Sequence, residues 1–291
     1  MPVSNRSPSS TVEVGDVLTN IRVILVATVI VMIPLAITSL LWIEEHSPHL
    51  NYDLIGWTTT GPFDAVLLLI AVAAIPLLLR RDTYRRVPIG LVGLIGFTAV
   101  TAVWLLVDPS LQGVVRAIRF AGITGLVVTV RHMPLATFRN AVVWPLTVSA
   151  TLQATLGLLQ THLWNNGTAS PITARFDHAW TQGYGTMDGG YALAAFLAVS
   201  CGIILASGAF RRLHPTMWLA VGLSSAAIST TFGRLGVLCL FGIAAFYGVT
   251  GLVRRNWEYL SAALVAIVPV TVGIAYTWAG WSVRAADTAA G

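Results

Sequence analysis

Lysine is absent from this chain, and charge of either sign is scarce: 17 basic and 12 acidic residues make up 10% of 291, where a soluble globular domain carries about 25%. Without lysine there is no Schiff-base or lysine-nucleophile chemistry, and no phosphate loop of the kind that ends in a lysine. All 17 basic residues are arginine, a usage that points to a GC-rich genome. The two cysteines, Cys201 and Cys239, both lie inside apolar runs. They serve there as small hydrophobes, too few for a disulfide framework or a thiolate metal site. So few charges cannot cover the surface of a soluble 31.0 kDa protein, which excludes a soluble enzyme, a secreted disulfide scaffold and a disordered tail.

What the chain has instead is apolar sequence, 56% of all residues with a mean hydropathy of +0.77. It falls in runs close to the ~20 residues needed to cross ~30 Å of hydrocarbon. Nine spans are expected: Val23 to Trp42, Phe63 to Leu79, Val87 to Val107, Val114 to Val130, Ala141 to Leu159, Gly190 to Ala209, Met217 to Phe232, Leu235 to Leu252 and Leu260 to Ala279. The first has no small-residue cleavage site behind it and reads as a retained span. The expected fold class is all-α, a polytopic transmembrane helix bundle, because a membrane barrel shows ~10-residue alternating strands instead. A polar tail occupies residues 1–20, the transmembrane helical domain 21–279, and the start of an outer loop 280–291. Two longer loops, 43–62 and 160–189, fall on one side.

Arginine placement sets the orientation, since short cytoplasmic loops hold the excess of positive charge. Twelve arginines (6, 22, 80, 81, 85, 86, 131, 139, 211, 212, 254 and 255) share one side with Glu13, Asp16, Asp82 and Glu258. The other side has Arg116, Arg119, Arg175, Arg234 and Arg284 against eight acids (Glu44, Glu45, Asp53, Asp64, Asp108, Asp177, Asp188 and Asp287). The amino terminus is therefore expected in the cytoplasm, with the long loops and the chemistry outside.

The outer arginines break the charge rule and mark candidate sites. Arg116 and Arg119 stand three apart near the outer end of the fourth span, on one helix face suited to a lipid diphosphate, with snorkelling beside Asp108 as the alternative. Arg234 closes the polar hairpin Ser229-Thr230-Thr231-Phe232-Gly233-Arg234, whose hydroxyls and glycine put backbone N–H groups and a guanidinium at one outer-leaflet spot that suits a phosphate; a lone snorkelling arginine is the alternative. In the long loop, Arg175, Asp177, Trp180, Tyr184 and Asp188 resemble a sugar-binding surface, or else an ordinary turn-rich loop. His162 and His178 lie on the same side as potential bases. Glu44, Glu45, His46 and His49 lack helical ligand spacing, and no metal is expected there. Asn166-Gly167-Thr168 matches a glycosylation sequon only weakly.

Two segments carry a family resemblance. GYGTMDGGYALAAFLAVS (Gly183 to Ser200) enters one span, an arginine-capped turn follows, and ISTTFGRLGVLCLFGIAAFYG (Ile228 to Gly248) enters another. This order resembles the bacterial O-antigen ligase and polymerase superfamily, over about residues 110 to 291. Gly185, Thr186, Leu193, Ala194, Thr231, Arg234 and Gly236 fit its patterns. The family's asparagine and serine are replaced, with Gly190 or Tyr191 and Gly233 nearby.

The resemblance implies glycosyl transfer on the outer face of the bacterial cytoplasmic membrane, from an undecaprenyl diphosphate-linked glycan to a lipid or glycan acceptor. It makes Arg234 the diphosphate ligand. A leaving diphosphate gains charge as the glycosidic bond breaks, and fixed guanidinium groups stabilise that charge without a metal or cofactor. The family also implies further spans and a large outer loop carrying a catalytic histidine and a second arginine, so these residues are expected to be an amino-terminal portion of a ligase that catalyses little alone. Membrane lipids are expected partners and nucleic acid is not. The alternatives are a polysaccharide polymerase of the same superfamily, which uses the same donor, and a non-enzymatic transporter or flippase. A transporter predicts in-span charges and an inverted repeat, neither prominent in the sequence.

Overall fold

The structure, a computed structural model, describes residues 17–34, 52–79, 89–107, 111–164, 190–208, 213–278 and 282. Among the described residues every regular element is helical and no strand occurs. In chain order the elements are α1 (Val17–Pro34), α2 (Tyr52–Leu78), α3 (Ile89–Val107), α4 (Leu111–Arg131), α5 (Leu135–Phe138), α6 (Trp144–Leu159), α7 (Gly190–Gly208), α8 (Pro215–Thr230), α9 (Arg234–Arg254) and α10 (Trp257–Tyr276). Short π-helical turns, Arg139–Val143 and Gln160–Trp164, flank α6.

Seven helical stretches among the described residues are long and apolar enough to cross a membrane: Val17–Pro34, Gly90–Val107, Gly113–Arg131, Leu135–His162, Gly190–Gly208, Arg234–Arg254 and Trp257–Tyr276. The apolar part of α2 described in full, Phe63–Leu78, is shorter, and α8 has 16 residues. Composition and helix length make this a multi-pass helical membrane protein.

Several boundaries differ from the sequence reading. Val17 to Asn20, expected in the polar tail, already belong to α1, where Arg22 Nε donates to the Ala73 carbonyl at 2.9 Å. Residues 35–42, the end of the expected first span, lie outside the described residues. Tyr52 to Pro62, expected in the first outer loop, are helical and begin α2. Gln160 to Trp164, expected to open the second outer loop, continue α6 as a π turn. Hydropathy windows find where apolar sequence is densest, whereas helices run on into polar residues as long as backbone bonds continue.

The expected single transmembrane domain divides into two compact units, residues 1–32 with 51–142, and residues 33–50 with 143–291.

In the first unit α4 packs against both α2 and α3. The buried stripe of α2 (Asp64, Leu67, Ile70, Ala74, Leu77) has helical spacing. On α4, Gly122 and Gly125 let the two backbones meet: a Cβ at Gly122 would lie 2.5 Å from Leu67 Cβ, and one at Gly125 would lie 2.9 Å from Ala71 Cα. Small residues at such crossings are how membrane helices gain packing without a hydrophobic drive between them. Asp64 meets Arg119 at a separation of 55 residues, and Leu67 with Gly122 keeps that register, so α2 and α4 run parallel. On the other face, the Thr98 and Thr124 hydroxyls hydrogen-bond at 2.8 Å between α3 and α4.

The second unit repeats the alternation. Ala194 of α7 lies against Gly233 and Gly236 at the start of α9, and Gly202 faces Ile243 further along, so α7 and α9 are parallel. Gly273 of α10 touches Ser229 of α8 while Gly222 faces Val265, making that pair parallel too. Between α9 and α10 the chain reverses in a Schellman turn: Asn256 N–H donates to Gly251 O (3.0 Å) and Arg255 N–H to Leu252 O (3.3 Å), with Arg255 left-handed at φ 49°. Asn256 then caps α10, its Oδ1 accepting from Glu258 N–H at 2.9 Å. At the start of α8, Pro215 occupies the first turn and His214 serves as N-cap. Adjacent helices thus run in opposite directions within this unit, as successive membrane crossings require.

Candidate functional site

The hairpin between α8 and α9 is built from buried hydroxyls. Ser229, Thr230 and Thr231 are at most 2% exposed. Each hydroxyl donates to the carbonyl three residues earlier: Ser229 Oγ to Ala226 O (2.6 Å), Thr230 Oγ1 to Ala227 O (2.8 Å) and Thr231 Oγ1 to Ile228 O (2.7 Å). These bonds return the hydroxyls to carbonyls of the last turns of α8, and Ile228 O also accepts the Thr231 backbone N–H at 3.2 Å. Thr231 Oγ1 also accepts from Gly233 N–H at 3.1 Å. The hairpin hydroxyls are turned into the protein. Their protons are committed to the turn.

The turn places Arg234. Phe232 holds φ at 50°, a left-handed conformation that an L-residue adopts at a cost, and its side chain is buried at 6% exposure. Gly233 follows as the N-cap of α9, without a side-chain cap, and Arg234 opens the helix with an exposed side chain. The N–H groups of Leu235 and Gly236 belong to the first helical turn, which has no preceding carbonyls to bond, and the helix dipole adds positive potential there.

Alpha7 begins at the same end. Its first residue, Gly190, has its carbonyl 3.6 Å from where a Gly233 Cβ would stand, and Ala194 Cβ lies 2.7 Å from the corresponding position at both Gly233 and Gly236. Only glycine at 233 and 236 permits this approach. Ala194 from the first sequence segment is thereby set against Gly233 and Gly236 of the second, and the exposed Arg234 stands between those two glycines at the amino terminus of α9. Such a constellation attracts an anion.

The same end of the unit carries the close of α10. His162, exposed on the π turn after α6, sets its ring edge against Tyr276 with centroids 5.8 Å apart. Tyr276 lies one turn beyond Gly273, which touches Ser229 of the hairpin.

Arg119 is placed differently from the expectation. Its Nε donates to Asp64 Oδ1 at 2.9 Å and its Nη2 to Oδ2 at 3.2 Å, a fork-to-fork pair. The Asp64 side chain is 9% exposed and that of Arg119 42%. Neither a diphosphate nor Asp108 is needed to account for this arginine, because an acid within α2 occupies two of its donors. Sequence reasoning missed Asp64 as the partner, although a lone acid between Phe63 and the run beginning Ala65 was the available signal. Arg116 stands three residues earlier on α4, and its side chain lies outside the described residues. So do Arg175, Asp177, His178, Trp180, Tyr184 and Asp188, together with Glu44, Glu45, His46 and His49. Among the described residues no three His, Cys, Asp or Glu side chains gather as a metal site would require.

Comparison with known proteins returns no matching family model, no matching curated protein and no matching solved structure.

Proposed function

We propose that this chain is a glycosyltransferase of the O-antigen ligase type. It crosses the bacterial cytoplasmic membrane nine times with its amino terminus inside, and moves a glycan from undecaprenyl diphosphate to a lipid or glycan acceptor on the outer face. The observation that carries this reading is the contact of Ala194 with Gly233 and Gly236. It joins described parts of the two segments that carry the resemblance, with Arg234 at the amino terminus of α9. Arg234 is the diphosphate ligand in this reading. Its guanidinium and the first N–H groups of α9 bind the carrier and stabilise the charge that grows on the leaving diphosphate. Alternating helix directions in both units support successive crossings, and the arginine-rich ends support the orientation.

The test is glycan transfer in proteoliposomes containing the chain, the undecaprenyl diphosphate-linked donor and an acceptor, beside retention of undecaprenyl diphosphate by the purified protein. Arg234→Ala should lower turnover by about 10²–10³-fold, the usual cost of losing one charge-stabilising donor, and should lower carrier retention. Transfer and retention equal to those of the unaltered chain would remove Arg234 from the role. A polymerase reading shares the site and differs only in acceptor, so product length separates the two. The Asp64–Arg119 pair within α2 and α4 favours a second reading, a transporter or flippase, since paired charges inside spans are common on transport pathways. Movement of a labelled carrier across vesicles without transfer would select it.

A further inference from the structure

At the end of the second unit that carries Arg254, a cavity of about 240 Å³ opens between α7, α8, α9 and α10. Tyr247, one of its lining residues, stands about 20 Å along α9 from Arg234 at ~1.5 Å per residue. The cavity is therefore separate from the anion site at the hairpin and takes no part in the proposed transfer. Leu205 of α7 belongs to its apolar wall, and Trp218, Tyr247, Asn256, Glu258 and Tyr259 also line it. Neither an arginine nor a histidine is among the described lining residues.

The fold sets this wall in place. Tyr247 is held from two sides, stacked on Tyr259 with ring centroids 5.7 Å apart and edge-on to Phe246 at 5.5 Å. It is 8% exposed, and its hydroxyl makes no hydrogen bond to a described residue; a buried hydroxyl left unbonded is costly. Asn256 is oriented as well: its Oδ1 accepts the Glu258 N–H at 2.9 Å, so its NH₂ group is left to donate elsewhere. Trp218 is half-buried and stacks on no other described ring.

These groups select a ligand chemistry. An amide NH₂ only donates, a carboxylate only accepts, and phenol hydroxyls do both. A phosphate cannot answer the carboxylate, and an ammonium cannot answer the amide. The described rings also form no cage for an ammonium, since Tyr247 and Tyr259 lie against each other instead of standing apart around a space. A sugar ring answers every group: its hydroxyls donate and accept, and its C–H face packs on the negative face of an aromatic ring such as that of Trp218. The cavity falls below the ~300–1,000 Å³ of drug-sized sites, so it suits one ring and not a glycan chain.

We propose that this cavity binds a single neutral sugar ring, carried by a glycolipid or free in solution, with Trp218 as the packing face and Tyr247 and Asn256 as hydrogen-bonding ligands. The full chain is placed in phosphatidylcholine nanodiscs alone, with diacylglycerol, with monoglucosyl diacylglycerol, with phosphatidylethanolamine, or with methyl glucoside in the buffer. The thermal midpoint is read for each, and retained lipid is read in native mass spectra. A lipid-borne ring raises the midpoint above that of the diacylglycerol disc and keeps the glucosyl lipid bound. A free ring gives a saturable rise with methyl glucoside.

Trp218→Leu should abolish whichever response is seen. Tyr247→Phe, which removes the hydroxyl while keeping the stack, should fold at least as well as the parent and weaken the affinity about tenfold, the effect of one lost hydrogen bond. Trp257→Leu alters a tryptophan that is 80% exposed and does not line the cavity, and it should leave the response intact. The site is refuted if neither glucoside gives a response, or if Trp218→Leu and Tyr247→Phe respond like the parent. Equal loss in Trp257→Leu would assign the effect to interfacial anchoring, and a response to phosphatidylethanolamine alone would assign the cavity to an amine; either overturns the proposal.

Discussion

Breaking the Asp64–Arg119 pair from its two sides should have unequal costs. The two carboxylate oxygens take one N–H each from Arg119, at 2.9 and 3.2 Å, yet the side chains differ in exposure, 9% for Asp64 and 42% for Arg119. Arg119→Met strands a carboxylate in a buried position, and uncompensated buried charges cost about 3–5 kcal/mol. The lower figure, about 3 kcal/mol, is appropriate because Asp64 stands at the start of the apolar part of α2. Asp64→Asn leaves a guanidinium that reaches the interface by snorkelling and an amide oxygen that still accepts one N–H, so about 1 kcal/mol is expected. The double variant leaves no charge behind and should cost about 1–2 kcal/mol, well under the sum of the singles, which gives a coupling of at least ~2 kcal/mol. Reversible unfolding of the four proteins in mixed micelles, titrated with a denaturing detergent, measures all three differences. Asp64→Asn costing as much as Arg119→Met, or a double variant equal to the sum, would refute the assignment of the buried end to Asp64.

Other perturbations follow from the same geometry. Gly122→Ala and Gly125→Ala should each cost about 1–3 kcal/mol by driving a methyl into the α2 backbone. Gly93→Ala and Gly96→Ala, with nothing within 4 Å of the new Cβ, should instead gain a few tenths to ~1 kcal/mol in the same unfolding assay. Arg255→Gly removes a side chain from a left-handed position at φ 49° and should stabilise the α9–α10 turn by about 1 kcal/mol, read as a higher thermal midpoint. Gly236→Ala should reduce both stability and carrier retention, because the added methyl presses on Ala194 where α7 and α9 meet. A loss of stability with unchanged retention would separate the crossing from the anion site.

The helical class and most of the helix positions were legible because apolar run length is a one-dimensional property. The α8–α9 hairpin was placed correctly for the same reason: Gly233 and Arg234 interrupt the apolar pattern between Phe232 and Leu235. The direction of its hydroxyls was not legible, since Ser229, Thr230 and Thr231 can face a ligand or return to their own carbonyls, and only the shape of the turn decides. Arg119 was recognised as unusual, but its partner stands 55 residues away, and nothing local in either segment encodes that register. Gly122 and Gly125 of α4 carried no signal of their own in the sequence, because the neighbour they admit depends on α2 running parallel to α4. The division after Val142 leaves no trace in composition, because membrane units share one hydrophobic alphabet.

The constant register between α2 and α4 also bears on how the chain is made. Alpha2 leaves the ribosome with Asp64 unpaired, and Arg119 follows 55 residues later, which at about 5–20 residues per second is a delay of roughly 3–11 s. During that interval a carboxylate at the head of an apolar helix opposes release into lipid, at a cost of up to ~3 kcal/mol on insertion scales. Release of α2 into lipid is therefore favoured once α4 arrives beside it, and joint release of α2, α3 and α4 is the expected outcome in a stalled-chain crosslinking experiment. On that expectation the Asp64–Arg119 pair ties the release of α2 to the arrival of α4.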